Sequence, residues 1–224
     1  MSANRKSGSV STGLFIAFFG PDGVGKSAII EQLKVAAGTD FSAVVQFHFR
    51  PMLGRQAPHR SPVSDPHAQA PRSLLVSCAK LLYWLLDCWY GYFVAVRPAR
   101  RCSGLVIFDR YYPDILVDPL RYRLPAGSLR FATWLAAFAP RPDLCVLLDA
   151  PADVVQRRKQ EVSPAESQRQ RIAYLALFHS MPSTLLVSAD DSVDQVSRQV
   201  SAAISTFLHE PFMQPYEVLL FADF

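Results

Sequence analysis

The sequence contains, at residues 20–27, the stretch Gly20-Pro21-Asp22-Gly23-Val24-Gly25-Lys26-Ser27. It fits the phosphate-loop pattern G-x-x-x-x-G-K-[ST] at every fixed position. The apolar run 14–19 precedes it and predicts a buried strand, and residues 28–37 follow it and predict a helix that ends at Gly38. The motif therefore lies in the strand–loop–helix context that phosphate binding requires.

The residue types of this stretch predict a site for ATP and Mg²⁺. Glycines allow the backbone N–H groups of the loop to point inward at phosphate oxygens, and the N-terminus of the following helix adds partial positive charge. Lys26 can reach the outer phosphates, and the Ser27 hydroxyl can ligate Mg²⁺. The alternative is a glycine-rich turn that only joins a strand to a helix. The full match in the right context favours the binding loop.

The composition indicates a globular protein with an anionic small-molecule ligand. The 224 residues are 50% hydrophobic, which is sufficient for one core with a small appended lid. The net charge of +4, with arginines in clusters, favours a small phosphate acceptor over nucleic acid. None of the cysteines has metal-like spacing, so we expect reduced thiols and a cytoplasmic protein.

Residues 74–96 form the longest apolar stretch of the chain. A membrane-spanning helix needs about 20 residues that are mostly uncharged. Lys80 and Asp87 interrupt this stretch. We therefore expect a core helix that ends near Pro98, and no membrane span.

Five apolar runs predict the strands of an α/β fold. They lie at 14–19, 43–49, 105–108, 143–148 and 184–187. Helical patterns alternate with them at 28–37, 74–96, 128–139, shortly after Pro151, 168–178 and 192–208. This alternation predicts a three-layer fold of the P-loop NTPase type, in which helices cover both faces of a five-stranded parallel sheet and a small lid is appended.

The remaining segments divide the chain. We expect a flexible tail at 1–12, one domain at 13–208 with a lid at about 152–175, and a C-terminal tail at 209–224. Residues 51–71 contain five prolines and predict a functional flap or a disordered loop. The polar residues 160–167 predict a mobile loop, and 113–123 predict a polar connection.

Charged residues follow the ends of the predicted strands, where ligands bind in open α/β sheets. Asp109 ends the third strand and is a candidate Mg²⁺ ligand, and Arg110 beside it can bind an acceptor phosphate in a bidentate manner. Arg50 follows the second strand and is either an acceptor contact or an ordinary solvated arginine. Arg157 and Arg158 belong either to a closing lid that neutralises phosphoryl charge or to a solvated helix face.

These residues resemble the thymidylate kinase family of nucleoside monophosphate kinases over residues 14–208. The triplet Asp109-Arg110-Tyr111 resembles the family's D-R-Y signature, and Asp22 stands where the family has an acidic residue in its phosphate loop. Arg158 matches a family arginine at the entry to the lid. Arg171 and Tyr174 resemble the R-x-x-Y of the family's lid helix.

The resemblance implies ATP-dependent phosphoryl transfer with Mg²⁺, and it implies a role for each candidate residue. ATP is bound by residues 20–27. The implied catalytic residues are Lys26, Asp109, Arg110, Arg157 and Arg158. The implied acceptor-binding residues are Asp22, Arg50, Arg110 and Tyr111, and the implied metal ligands are Ser27 and Asp109. The resemblance leaves both a monomer and a homodimer open.

The acceptor side departs from the family. The family has R-E-P-G after the second strand, where this sequence reads Arg50-Pro51-Met52-Leu53-Gly54. Cys88 falls where the family has an arginine that reads the thymine edge; the nearest arginines that could replace it are Arg55, Arg60 and Arg72.

Residues 109–123 look more like the thymidylate-kinase-like proteins found with bacterial polysaccharide synthesis genes. The expected acceptor is a nucleoside monophosphate or a similar anion. Two alternatives stay open at this point: a kinase of the same fold that acts on a sugar or sugar phosphate, and a non-catalytic nucleotide-binding module.

Overall fold

The computed structural model describes residues 13–38, 40–51, 70–158 and 162–209. The expected tail at 1–12, the tail beyond residue 209 and most of the loop 51–71, with Arg55 and Arg60, lie outside the described residues.

The sheet is parallel throughout, and its five strands confirm the predicted ones to within one residue at each end. They are β1 Leu14–Phe19, β2 Val44–His48, β3 Leu105–Asp109, β4 Leu144–Asp149 and β5 Thr184–Ser188. Their order is β2-β3-β1-β4-β5, so β1 lies in the centre. All six residues of β1 are buried, because neighbouring strands and both helical layers surround it.

Helices cover both faces of the sheet, as the sequence predicts. They are α1 Lys26–Ala37, α2 Leu74–Gly91, α3 Arg97–Arg101, α4 Asp114–Val117, α5 Leu129–Ala136, α6 Ala152–Arg158, α7 Pro164–His179 and α8 Val193–His209. None of the helices in the described part of the chain has the length and apolarity that crossing a membrane requires.

The alternating side chains of the strands divide the core into two layers. Phe15 and Phe19 pack with α2, α4, α5 and α7 on one face, and Ile16 and Phe18 pack with α1 and α8 on the other. This division follows from the two-residue period of a strand. It confirms the expected three-layer α/β architecture.

The helical path through residues 74–101 corrects one expectation. The helix does not end near Pro98, because a π-helical turn at Tyr92–Val96 joins α2 to α3. In that wider turn the Arg97 N–H bonds to the Tyr92 carbonyl five residues back. Pro98 stands in the first turn of α3, directly after the π-helical turn, so the helical path continues through it.

Two segments expected to be irregular contain helix. In the segment 160–167, helix α7 already begins at Pro164, because the Ser163 hydroxyl accepts a hydrogen bond from the Glu166 N–H and caps the helix. The string S-P-A-E carries this capping signal. In the segment 113–123, the turn of helix α4 occupies Asp114–Val117.

The fold places the candidate residues on one edge of the sheet. The phosphate loop follows β1, Arg50 lies just beyond β2, and Asp109 and Asp149 end β3 and β4. The carboxyl ends of parallel strands meet at the same edge, which is where ligands bind in open α/β sheets.

Gly91 of α2 allows this helix to pack closely against Pro51, which lies just beyond β2. A Cβ atom added at Gly91 would overlap the Pro51 ring, whereas one added at Gly38 meets its nearest atom at 3.5 Å. We expect Gly91→Ala to lower the free energy of unfolding by about 1–3 kcal/mol. Gly38→Ala is the control and should be neutral or stabilising by up to about 1 kcal/mol. Chemical denaturation measures both, and equal effects would contradict the close packing.

Candidate active site

The phosphate loop has the backbone conformation that its glycines allow. Gly20, Gly23 and Gly25 adopt φ values of 138°, 86° and 106°, which L side chains rarely adopt. Gly25 precedes α1, and its carbonyl accepts the first helical hydrogen bond from the Ile29 N–H. The loop therefore leads directly into a helix N-terminus, which favours anions.

Lys26 is buried at the base of this loop. Its Nζ donates to the Gly20 carbonyl at 2.7 Å and to the Pro21 carbonyl at 2.8 Å. Burial lowers the pKa of Lys26 to about 8, and Arg110 acts in the same direction, whereas Asp22 and nearby carboxylates raise it. An anionic ligand in the loop would favour the charged form of this lysine.

Arg110 is the centre of a buried ionic network. Its Nη1 donates to both oxygens of Asp114 at 2.9 Å and to the Tyr174 hydroxyl at 2.8 Å. Its Nη2 lies 2.5 Å from Asp22 Oδ1. The exposed fraction is 4% for Arg110 and 0% for Asp114. Burial would lower the pKa of Arg110, but Asp114, Tyr174 and Asp22 hold it well above its usual value.

Asp114 binds two tyrosine hydroxyls in addition to Arg110. Tyr174 donates to its Oδ1 at 2.5 Å, and Tyr122 donates to its Oδ2 at 2.7 Å. The carboxylate therefore links α4 to the lid-side helix α7 and to the turn at residue 122. These contacts fix the position and the direction of the guanidinium group.

Arg121 is a second arginine beside the phosphate loop, and sequence reasoning missed it. It forms an ion pair with Asp22 Oδ2, so that Asp22 joins Arg121 to Arg110. The segment 113–123 was predicted only as a polar connection. Its charged residues are brought to the phosphate loop by the folding of α4, which the short string D-I-L-V does not indicate.

Asp109 has the features of a cation ligand. Its Oδ1 is buried and has no hydrogen-bond partner among the described residues, and its Oδ2 lies 3.5 Å from His48 Nδ1. Burial would raise the pKa of Asp109, but His48, Lys26 and Arg110 hold it below its usual value. Ionised Asp109 and the exposed hydroxyl of Ser27 fit Mg²⁺, which uses one or two protein oxygens together with water and phosphate. The described residues contain no cluster of three His, Cys, Asp or Glu side chains that could hold a metal alone.

The structure separates the two arginines predicted for the lid. Arg158 donates to the Ala189 carbonyl at 2.8 Å and to the Val24 carbonyl at 3.3 Å, so it contacts the phosphate loop. Arg157 pairs with Asp153 at 3.0 Å, and its side chain is 70% exposed. Only Arg158 is therefore brought to the loop in this structure.

Arg50 and Tyr111 have different surroundings. Arg50 lies 3.4 Å from Asp87 and within 5.5 Å of the ring centroids of Tyr83 and Trp84, on the acceptor side of the sheet edge. Tyr111 is buried in the core, and its hydroxyl donates to the Pro140 carbonyl at 2.8 Å. The structure thus places Tyr111 under the acceptor side and not at its surface.

Cys88 also lies in the core. Its exposed fraction is 2%, and burial raises the pKa of its thiol to about 12. All four cysteines of the chain are described, and each has a free thiol. Cys88 is therefore a small neutral group at the position where the resemblance implies a charged arginine.

The buried pair Arg110–Asp114 has an exposed counterpart in Arg157–Asp153, with the same spacing of four residues. We expect Asp114→Asn to lower the free energy of unfolding by about 3–5 kcal/mol, because it leaves a buried guanidinium with less compensation. Asp153→Asn should change it by less than about 0.5 kcal/mol. Denaturant titration compares the two, and similar values would contradict the central role of the buried pair.

Comparison with known proteins identifies relatives along most of the chain, although no protein-family model matches it. A thymidylate kinase of Xanthomonas oryzae pv. oryzae is 30% identical over 203 residues, which cover 86% of this chain and 83% of that protein. A thymidylate kinase of Xanthomonas campestris pv. campestris is 28% identical over 199 residues with the same coverage. A probable thymidylate kinase of Pyrococcus abyssi is 31% identical over 118 residues, or 49% of this chain. The identity of this chain to the Xanthomonas oryzae protein, over most of both chains, shows that the chain belongs to the thymidylate kinase family.

Proposed function

We propose that this protein transfers the γ-phosphoryl group of ATP to a small anionic acceptor. The observation that supports this most directly is the phosphate loop formed around buried Lys26, with Arg110 and Arg121 beside it. The relatives named thymidylate kinase support a kinase-type phosphotransferase. A non-catalytic module would have no use for this combination of a loop lysine, an ionised Asp109 and buried arginines.

In the proposed reaction, an acceptor oxygen forms a bond to the γ-phosphorus as the bond to the β,γ-bridging oxygen breaks. ADP leaves, and the acceptor releases a proton if the attacking group is protonated. Residues 20–27 bind the ATP phosphates through backbone N–H groups, and Lys26 binds the outer ones. Ser27 and Asp109 would hold Mg²⁺, which neutralises phosphate charge when it is bound. The protein contributes positioning and electrostatic stabilisation.

The acceptor group is proposed to bind at Arg110 and Arg121. Both arginines pair with Asp22 in this structure, so an acceptor phosphate would take the place of this carboxylate. Asp22 would then be available to accept a hydrogen bond from an acceptor hydroxyl. Arg50 lies just beyond β2 on the same side and is a further candidate contact for the acceptor.

We propose that α6 and the part of α7 up to residue 175, that is the segment 152–175, form the lid. Arg158 of α6 already reaches the phosphate loop, and Arg171 of α7 binds Asp149 through two hydrogen bonds of 2.8 and 2.7 Å. A shift of Arg158 from carbonyl oxygens to the transferring group would supply charge stabilisation only when ATP is bound.

The proposal allows two classes of acceptor. A nucleoside monophosphate is one candidate, in keeping with the names of the relatives. A sugar phosphate is the second, because Cys88 is buried and neutral and because the face of Trp84 carries the ammonium group of Lys80. Neither feature provides a surface on which a thymine edge would be read by hydrogen bonds.

Replacement of the loop lysine tests the phosphoryl transfer. Lys26→Ala removes the cation on the outer phosphates, and we expect ADP release with an active acceptor to fall by about 10²–10³-fold or more. Lys34→Ala on the same helix is the control, since Lys34 pairs with Glu31 at the surface. A coupled assay of ADP release measures both. Unchanged turnover in Lys26→Ala would contradict the assignment, provided that circular dichroism shows a folded protein.

Steady-state kinetics with thymidylate test the acceptor pocket. A buried neutral thiol cannot replace a charged donor, whose hydrogen bond contributes about 1.5–3 kcal/mol. We therefore expect a kcat/KM for thymidylate below about 10⁴ M⁻¹s⁻¹, which is the lower end of the range for efficient enzymes. A higher value would show that another group reads the base and that the acceptor is thymidylate.

A further inference from the structure

A second cationic site lies next to the proposed acceptor site. It consists of Lys80 and Arg72 on or before α2 and of Arg123 in the turn that follows α4. These residues are held together by backbone contacts. The Arg72 N–H donates to the Arg123 carbonyl at 3.1 Å, and Arg123 Nε donates to the Ala70 carbonyl at 3.0 Å. The side chains therefore belong to one packed unit formed by two distant segments.

Lys80 is the most constrained of these cations. Its Nζ donates to the Tyr122 carbonyl at 2.8 Å and lies 4.2 Å from the centroid of the Trp84 ring. None of the carboxylates in the described ranges forms an ion pair with it. Burial is the largest cause that lowers the pKa of Lys80 to about 8, and repulsion from Arg72, Arg123 and Arg50 acts in the same direction. A partly buried ammonium group among arginines would be stabilised by an anion.

The surroundings add further positive potential. Helix α2 begins at Leu74, just after Arg72, and it has no side-chain cap and no acidic residue in its first turn. The N-terminus of an 18-residue helix carries partial positive charge. Asp87, seven residues after Lys80 on α2, pairs with Arg50.

Two arginines of this region have an unusual backbone conformation. Arg123, in the turn after α4, adopts a φ of 58°, and Arg110, directly after β3, adopts 69°. Such conformations are unfavourable for L residues, and they often accompany functional positions. Arg121 and Arg123 are two residues apart, so their Cα atoms lie within about 7 Å of each other. The two arginines are therefore carried by nearby positions of one turn.

From this geometry we propose that the acceptor carries a second anionic group, a carboxylate or a phosphate, and that Lys80, Arg72 and Arg123 bind it beside Trp84. The proposal rests on the proposed function, since it describes the far end of the same acceptor. The end of the acceptor that is phosphorylated would bind at Arg110 and Arg121. Its second anionic group would bind near Arg123, which follows Tyr122 in the sequence. Lys80 covers a face of Trp84, so a stacked base would first have to displace it.

The test uses the full chain and four probes in isothermal titration calorimetry. Glucose 1-phosphate has one anionic group, glucuronic acid 1-phosphate adds a carboxylate at C6, and glucose 1,6-bisphosphate adds a phosphate there. Thymidylate has a base instead. We expect at least one doubly anionic probe to bind about tenfold or more tightly than glucose 1-phosphate, since each charge-assisted hydrogen bond is worth about a factor of ten. The stronger of the two identifies the second group.

Lys80→Met keeps most of the apolar stem and removes the charge. It should reduce the preference, which is the ratio of the affinities for the doubly anionic probe and for glucose 1-phosphate, to about one. Arg72→Gln, at an exposed position, should reduce this preference in part. Lys34→Met makes the same chemical change at a half-buried lysine on α1 and should leave the preference unchanged. Thermal unfolding should show that Lys80→Met is folded and at least as stable as the parent.

The pH dependence provides an independent readout. Lys80 must be protonated to attract an anion, and its pKa in the free protein is about 8. The preference should therefore decrease as the pH rises from 7.5 to 9.5, and this decrease should be absent in Lys80→Met. A preference that is insensitive both to pH and to Lys80→Met and Arg72→Gln would overturn the proposal.

Two further outcomes would also overturn it. Equal affinities for the three sugar phosphates would exclude a second anion site, and tight binding of thymidylate that Lys80→Met leaves unchanged would indicate a base pocket. Binding of ATP distinguishes failure of the proposed function from failure of the second anion site. If the protein does not bind ATP, phosphoryl transfer is excluded; if it binds ATP and phosphorylates thymidylate with Lys80→Met unaffected, only the second anion site is excluded.

Discussion

The rest of the site depends on the buried guanidinium of Arg110. It accounts for the positions of four segments: Asp22 of the phosphate loop, Asp114 of α4, Tyr174 of α7 and the end of β3 that carries Arg110 itself. A buried cation is costly unless it is paired and fully hydrogen-bonded. The fold meets this requirement with two carboxylates and a hydroxyl, and it thereby connects the phosphate loop with α4 and α7.

This arrangement couples the proposed lid to the acceptor site. Helix α7 contacts the α4 region at three positions: Arg169 donates to the Val117 carbonyl at 3.0 Å, Gln170 to Asp118 at 3.1 Å, and Tyr174 to Asp114 at 2.5 Å. A displacement of α7 would thus change the hydrogen bonds of Asp114 and, through it, the pairing of Arg110. Closure over ATP and orientation of the acceptor would then be one event, because both use the same buried carboxylate.

The strands and the phosphate loop could be predicted from the sequence because their signals are local. Runs such as 14–19 and 105–108 are continuously apolar, and the loop is a complete motif. The contacts of Arg110 with Asp114 and Tyr174 could not be predicted, since they form only when α4 and α7 pack together, and the pairing of Arg121 with Asp22 was not predicted either. Lys80 was interpreted only as an interruption of an apolar helix. Its environment depends on Arg72 and on the turn at residue 123, 43 positions beyond it in sequence.

The two ends of the acceptor side differ in how their charge is balanced. Around Arg110 and Arg121, the carboxylates of Asp22 and Asp114 supply two negative charges for two positive ones. Among the described residues, the charged groups that shift the pKa of Lys80 are the arginines Arg72, Arg123 and Arg50. A desolvated cation that repels its neighbours costs folding free energy, which Lys80 recovers in part through its contacts with the Tyr122 carbonyl and the Trp84 ring. Binding sites often give up stability to function in this way. The proposed second anion would offset the repulsion at Lys80, as Asp22 and Asp114 offset the charges of Arg110 and Arg121.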